Sequence, residues 1–203
     1  MSTAQRVKKE ALKLFANLGY EGTSMDTIAS AVGIKKASLY SHYKGKEAIF
    51  WAVVEELLQS QQQQLAIVVE EGRKQNTEQR LYHLFLHLSD DSFDTSQEAF
   101  DFFHRMLLFP PPQFVEVLRE KLRLYDQQLH LAIGEMLTEG MVQKSIEQAD
   151  VKPIEQAFIC MAEGVKLQSR YEEKVVFYEM LEATWHVFWK SISSGGHSKW
   201  CKK

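Results

Sequence analysis

Apolar residues recur at helical spacing along almost the entire chain, and period-2 alternation runs nowhere for any length. That pattern excludes sheet architectures and makes the expected fold all-α. Val7, Ala11, Leu14, Phe15 and Leu18 form one stripe, which Gly19 is expected to close as a C-terminal cap. Thr23, with Asp26 three residues on, has capping-box chemistry and starts a second helix burying Met25, Ile28, Ala29 and Val32. Gly33 ends it. A third short helix is predicted near 36–43, and Gly45 separates it from a long fourth helix reaching about Glu71. Longer helices are predicted near 76–89, 95–109, 113–140, 153–169 and 172–193, about nine in all, with breaks at Pro110–Pro112 and Pro153. The stretch from Ser193 onward has no periodic face and is expected to be a flexible tail.

Charge divides the chain further. Residues 1–50 hold eight Lys and Arg against four Asp and Glu, while the remainder holds sixteen against twenty-three. The basic quarter suits a polyanion-binding head on a module that does not bind polyanions. With 203 residues, 45% hydrophobic and 25% charged, there is material for a small module joined to a larger one. Charges at Arg6, Lys8, Lys9 and Glu10 interrupt any signal-peptide-like run, and no apolar run approaches the roughly 20 residues of a membrane span. Cys160 and Cys201 imply no disulfide framework, so a cytoplasmic location is expected.

The segment GIKKASLYSHYKGK, residues 33–46, concentrates four lysines, two tyrosines and a histidine. Projected as a helix, Leu39 and Tyr43 fall together, where they would pack on the first two helices. The opposite face carries Ala37, Ser38 and Ser41, small enough for a backbone to approach base edges. Lys36 and Tyr40 flank it on one side and His42 on the other, all three suited to phosphate. Ser38 and Ser41 offer hydroxyls to bases and Ala37 a methyl contact to thymine. Three short helices with a glycine turn between the second and third make a helix-turn-helix candidate.

The run GYEGTSMDTIASAVGIKKASLYSHYKGKEAIF, residues 19–50, closely resembles the DNA-binding domain of TetR-family transcriptional repressors. The matching features are Gly19–Tyr20, Thr23–Ser24, Ile28–Ala29, Val32–Gly33–Ile34, Ser38–Leu39–Tyr40, His42–Tyr43 and Lys46–Glu47. The resemblance covers about residues 4–55. It implies phosphate contacts from Thr23, Ser24, Lys36, Tyr40, His42 and Lys46, with Lys36, Ala37, Ser38 and Ser41 facing bases. Lys35 stands where the family often has a Ser or Thr cap; it cannot cap the third helix but could reach the backbone or a base. The resemblance further implies a bacterial one-component regulator, a repressor, that binds a palindromic double-stranded operator as a homodimer and is released by a small effector.

The division expected from this reading is a head at 1–55 (helix-turn-helix about 24–43), an effector-binding and dimerisation body at 56–193, and a tail at 194–203. In the body, Phe100, Phe103, His104, Met106, Phe109, Phe114, Tyr125, Met161 and Trp185 are candidate walls of an effector pocket, and their apolar and aromatic character suits a hydrophobic ligand. Any one such residue is more often plain core than pocket wall. On the 172–193 helix apolar residues spread over roughly 220° when projected at about 100° per residue, more than the ~100° stripe a single core requires. A two-fold mate is the commonest further partner. Phe158, Val165, Phe177, Leu181, Trp185 and Phe188 are the candidate interface residues.

Two other readings compete. One is a helical DNA-binding protein with a filled core and no sensing. The other is a helical-bundle metal enzyme, for which His83/His87 and Asp101/His104 have ligand-like spacing. The first pair projects to the solvent side, and no second Asp/Glu–His set completes a di-metal site. No nucleophile-elbow, zinc-finger or phosphate-loop pattern occurs. No catalysis, cofactor, metal or membrane partner is therefore expected.

Overall fold

The computed structural model describes residues 1–90 and 96–195, apart from the side chain of Tyr125. The described residues form nine α-helices and a short 3-10 turn at Pro112–Phe114. The expected tail lies, from residue 196 on, outside them.

The helices are α1 (Thr3–Gly22), α2 (Met25–Val32), α3 (Lys36–His42), α4 (Lys46–Gly72), α5 (Thr77–Ser89), α6 (Gln97–Leu108), α7 (Val115–Val142), α8 (Val151–Gln168) and α9 (Lys174–Ile192). Their starts follow the chemistry of orphan N–H groups. Ser2 with Gln5 and Asn76 with Gln79 form reciprocal capping boxes, and Ser96 and Asp150 accept from backbone N–H groups within the first turn. Pro153 does not break a helix. It sits in the first turn of α8, where a missing N–H removes no intrahelical bond.

The chain forms two compact units, interleaved in sequence. The first comprises residues 1–63 and 95–125, the second 64–94 and 126–203. In the first, α6 packs along α1. Phe15, Ile28, Leu39, Ile49 and Phe50 share a core with Phe102, Met106 and Phe114. Aromatic rings dominate it: Phe50 meets Phe102 and Phe114 at centroid distances of 5.8 and 5.2 Å. In the second, α5 packs on α8 and α9 around Phe85, Phe158, Leu181 and Trp185. Gly140 sits in close contact there: a Cβ would lie 2.7 Å from both Ile146 Cδ1 and Thr77 Cγ2, so these side chains would have to shift.

Candidate nucleic-acid interface

The position of α3 follows from how its neighbours end. Gly19 adopts φ +72°, breaking α1 before a final turn through Gly22. Thr23, expected to cap α2, is instead buried, and its hydroxyl donates to the Gly19 carbonyl at 2.8 Å. The capping box falls one residue later. Ser24 Oγ accepts from the Thr27 N–H at 3.1 Å while the Ser24 N–H donates to Thr27 Oγ1 at 2.8 Å. Gly33, at φ +75°, closes α2 in the left-handed conformation. The Arg6 guanidinium also donates to the Val32 carbonyl at that end. After the turn, Leu39 anchors α3 with no exposed surface, and Tyr43 packs half-buried beside it. Lys35 precedes α3 without a side-chain cap.

This anchoring turns one face outward. Lys35, Lys36, Ala37, Ser38, Tyr40, Ser41 and His42 are all exposed. Within that face the Ser41 hydroxyl donates to the Ser38 carbonyl at 2.7 Å, so its proton is engaged and its oxygen is left as an acceptor. The Lys36 ammonium donates to Asp26 at 2.6 Å, and this bond raises its pKa above the ordinary lysine value.

The other three candidates also make contacts within the head. Thr23 and Ser24 are occupied as described. Lys46 is half-buried, donates to the Tyr20 carbonyl at 2.6 Å, and lies 4.0 Å from the centre of the Tyr20 ring. Arg105 on α6 reaches the same end of α1, donating to the Ala16 carbonyl at 2.9 Å. The broken end of α1 is therefore held by cations from α4 and α6. Sequence spacing carries no signal for the Arg105 contact, because its partner is 89 positions away.

The candidate pocket residues divide between the units. Phe100, Met106 and Phe114 are buried in the first. His104, also there, stacks on Phe100 at 3.9 Å between ring centres. Phe103 packs against the edge of that unit's core. Phe109 is 75% exposed and, with Met106, lines a cleft of about 240 Å³ beside Tyr20 and Arg105. Met161 and Trp185 belong to the second unit, while the Tyr125 side chain lies outside the described residues.

Phe158, Val165, Phe177, Leu181, Trp185 and Phe188, the candidate interface set, are buried by their own chain in the core of the second unit. The faces left outward carry Ala157, Cys160, Gly164 and Leu167 on α8, and Val176, Ala183 and Val187 on α9. The broad apolar arc of the last helix thus divides into a core half and an outward half. Among the described residues, no three His, Cys, Asp or Glu side chains are grouped to hold a metal ion, and no helix is long and apolar enough to cross a membrane.

Residues 9–53 match the family model described as bacterial regulatory proteins, tetR family. The biofilm operon icaADBC HTH-type negative transcriptional regulator IcaR of Staphylococcus epidermidis is 48% identical over 50 residues, 25% of this chain and 27% of the relative. The chain therefore spans about a quarter of the length of the curated relatives it matches. Structural similarity extends further. The transcriptional regulator FadR from Bacillus subtilis in complex with stearoyl-CoA superposes with a TM-score of 0.68 at 16% identity, covering 96% of this chain and 99% of its own. AibR in complex with isovaleryl coenzyme A and operator DNA gives 0.67 at 20% identity, covering 92% and 97%. At such identities the likeness is one of fold.

Proposed function

We propose, for a chain whose head belongs to the tetR family of bacterial regulatory proteins, that it represses transcription by placing α3 in the major groove of a palindromic operator. The observation that carries this reading is the outward face of α3 and its N-cap Lys35, seven exposed residues with a small centre and donor flanks, braced from behind by Leu39. Lys35, Lys36, Tyr40 and His42 hold phosphates, while Ala37 and Ser38 meet base edges and Ser41 offers an acceptor. Thr23, Ser24 and Lys46 act one step back, by fixing the turns that aim α3.

Two heads are supplied by a homodimer. The outward faces of α8 and α9 are its contact, since Ala157, Cys160 and Gly164 permit close helix approach and Leu167, Val176 and Val187 supply apolar area. A two-fold pair spaces its recognition helices about one DNA turn apart, roughly 34 Å. The effector is a small hydrophobic molecule. The acyl-coenzyme A ligands of the FadR and AibR structures make acyl thioesters the first class to screen. Its binding favours a conformer in which α4 swings and the two heads lose register with successive grooves. Selection from random duplexes tests the reading: a two-fold symmetric site should be enriched, and recovery of no preferred sequence would exclude it.

A further inference from the structure

A cleft of about 550 Å³ opens between α1 and α4 within the first unit, and no residue of α3 lines it. Leu12, Val53 and Leu57 line it as apolar groups, with Val53 and Leu57 almost fully buried. Lys8 and Lys9 of α1 border it, opposite Glu56 of α4. Lys8 and Glu56 form an ion pair, and Lys9 is exposed. Two lysines against one glutamate leave a net positive border around an apolar interior. Such volume falls within the roughly 300–1,000 Å³ of small-molecule sites, which characteristically combine apolar walls with few polar groups.

The geometry points to a binding site here for an amphipathic anion, a free carboxylate on a medium-length hydrocarbon chain. The chain lies on Leu12, Val53 and Leu57, which take its methylenes out of water. The carboxylate meets the Lys9 ammonium, whose long stem lets the charge stay hydrated while it pairs. Lys8 already has a carboxylate partner, so the border accepts one anionic head and disfavours a cationic one. This site is separate from the recognition face and from any effector site in the second unit.

The test uses the whole chain and a diazirine analogue of dodecanoate, kept below its micellar concentration. Photolabelling followed by peptide mapping should place the adducts within residues 5–12 and 53–60. Unlabelled dodecanoate should suppress them, and dodecyltrimethylammonium should not. Ser60, exposed on the lining, offers a way to fill the cleft without disturbing the core. Ser60→Trp should weaken dodecanoate binding at least about tenfold, the equivalent of losing two buried methylenes, with the unfolding temperature unchanged. Lys9→Glu, an exposed change, should weaken it independently. Adducts elsewhere, equal competition by the cationic amphiphile, or wild-type affinity in both variants would overturn the proposal.

Discussion

Arg105 Nε donates to the backbone carbonyl of Ala16 at 2.9 Å, joining α6 to the last regular turn of α1. A second bond from Nη2 reaches the Asn17 carbonyl at 3.4 Å. Both carbonyls lie just before the break at Gly19, where the backbone leaves helical φ/ψ. Charge-assisted bonds of this kind contribute about 1.5–3 kcal/mol each where they are well formed.

Arg105→Gln should therefore lower stability by about 1–3 kcal/mol and speed amide exchange around Gly19 to Thr23. Operator affinity should fall as well, because the turn that aims α2 and α3 loosens. Hydrogen exchange with and without the substitution is the direct measurement. Protection unchanged in that segment would show that the clamp does not hold the turn.

On the recognition face, Tyr40→Phe should weaken binding to all duplexes about equally, since it removes one phosphate donor. Ser38→Ala should instead alter preference at one or two base pairs, by about 1–3 kcal/mol each. Site selection with both variants separates the effects. Wild-type affinity and preference in both would move the recognition face elsewhere.

Lys36 is paired with Asp26, and in the proposed complex Asp26 would compete with DNA for it. Asp26→Asn should raise affinity for any duplex about three- to tenfold at low salt, while costing α2 about 0.3–1 kcal/mol of favourable N-terminal charge. Lys36→Ala should reduce the slope of log affinity against log salt by about one per head. Anisotropy titrations over a salt series read both. A slope unchanged by Lys36→Ala would mean that this lysine does not reach phosphate.

Gly164 faces open space in the single chain, where a Cβ would meet no atom within 4 Å. Gly164→Leu should leave the monomer folded and even gain helix propensity, about 1 kcal/mol. At a close two-fold contact the same side chain has no room. Sedimentation should show a dimer for the wild type and a monomer for the variant, and a dimer in both would remove α8 from the interface.

Gly140→Ala tests packing in the second unit. The added methyl meets Ile146 and Thr77 at 2.7 Å, and overpacking of that kind costs about 1–3 kcal/mol. Denaturant unfolding should show a lower midpoint. An equal or higher midpoint would mean that the two neighbours yield freely.

Helical periodicity located the elements closely: α5 at Thr77–Ser89 and α4 at Lys46–Gly72 lie within a residue or two of their predicted limits. What escaped was decided by tertiary contact. Thr23 and Ser24 are adjacent, and each has a polar partner three positions on, so either can cap by local chemistry. Burial of Thr23 against Gly19 selects Ser24. The apolar arc of α9 is wider than one core requires, yet projection could not say which half the chain would cover for itself. Phe177, Leu181, Trp185 and Phe188 face inward, while Val176 and Val187 do not. Phe102, Met106 and Phe114 carry no local sign that they close a core begun by Phe15 and Phe50.

That shared core limits how the protein can be cut and recombined. Phe15 and Phe50 meet Phe102 at 6.1 and 5.8 Å, and Tyr20 meets Phe114 at 5.0 Å. A transplant severed after residue 55 would carry the reading helix to a new host but leave these rings facing water. A chimaera that keeps 1–63 together with 95–125 preserves the whole aromatic cluster. For anyone exchanging operator specificity between scaffolds, the transferable cassette is therefore discontinuous in the gene.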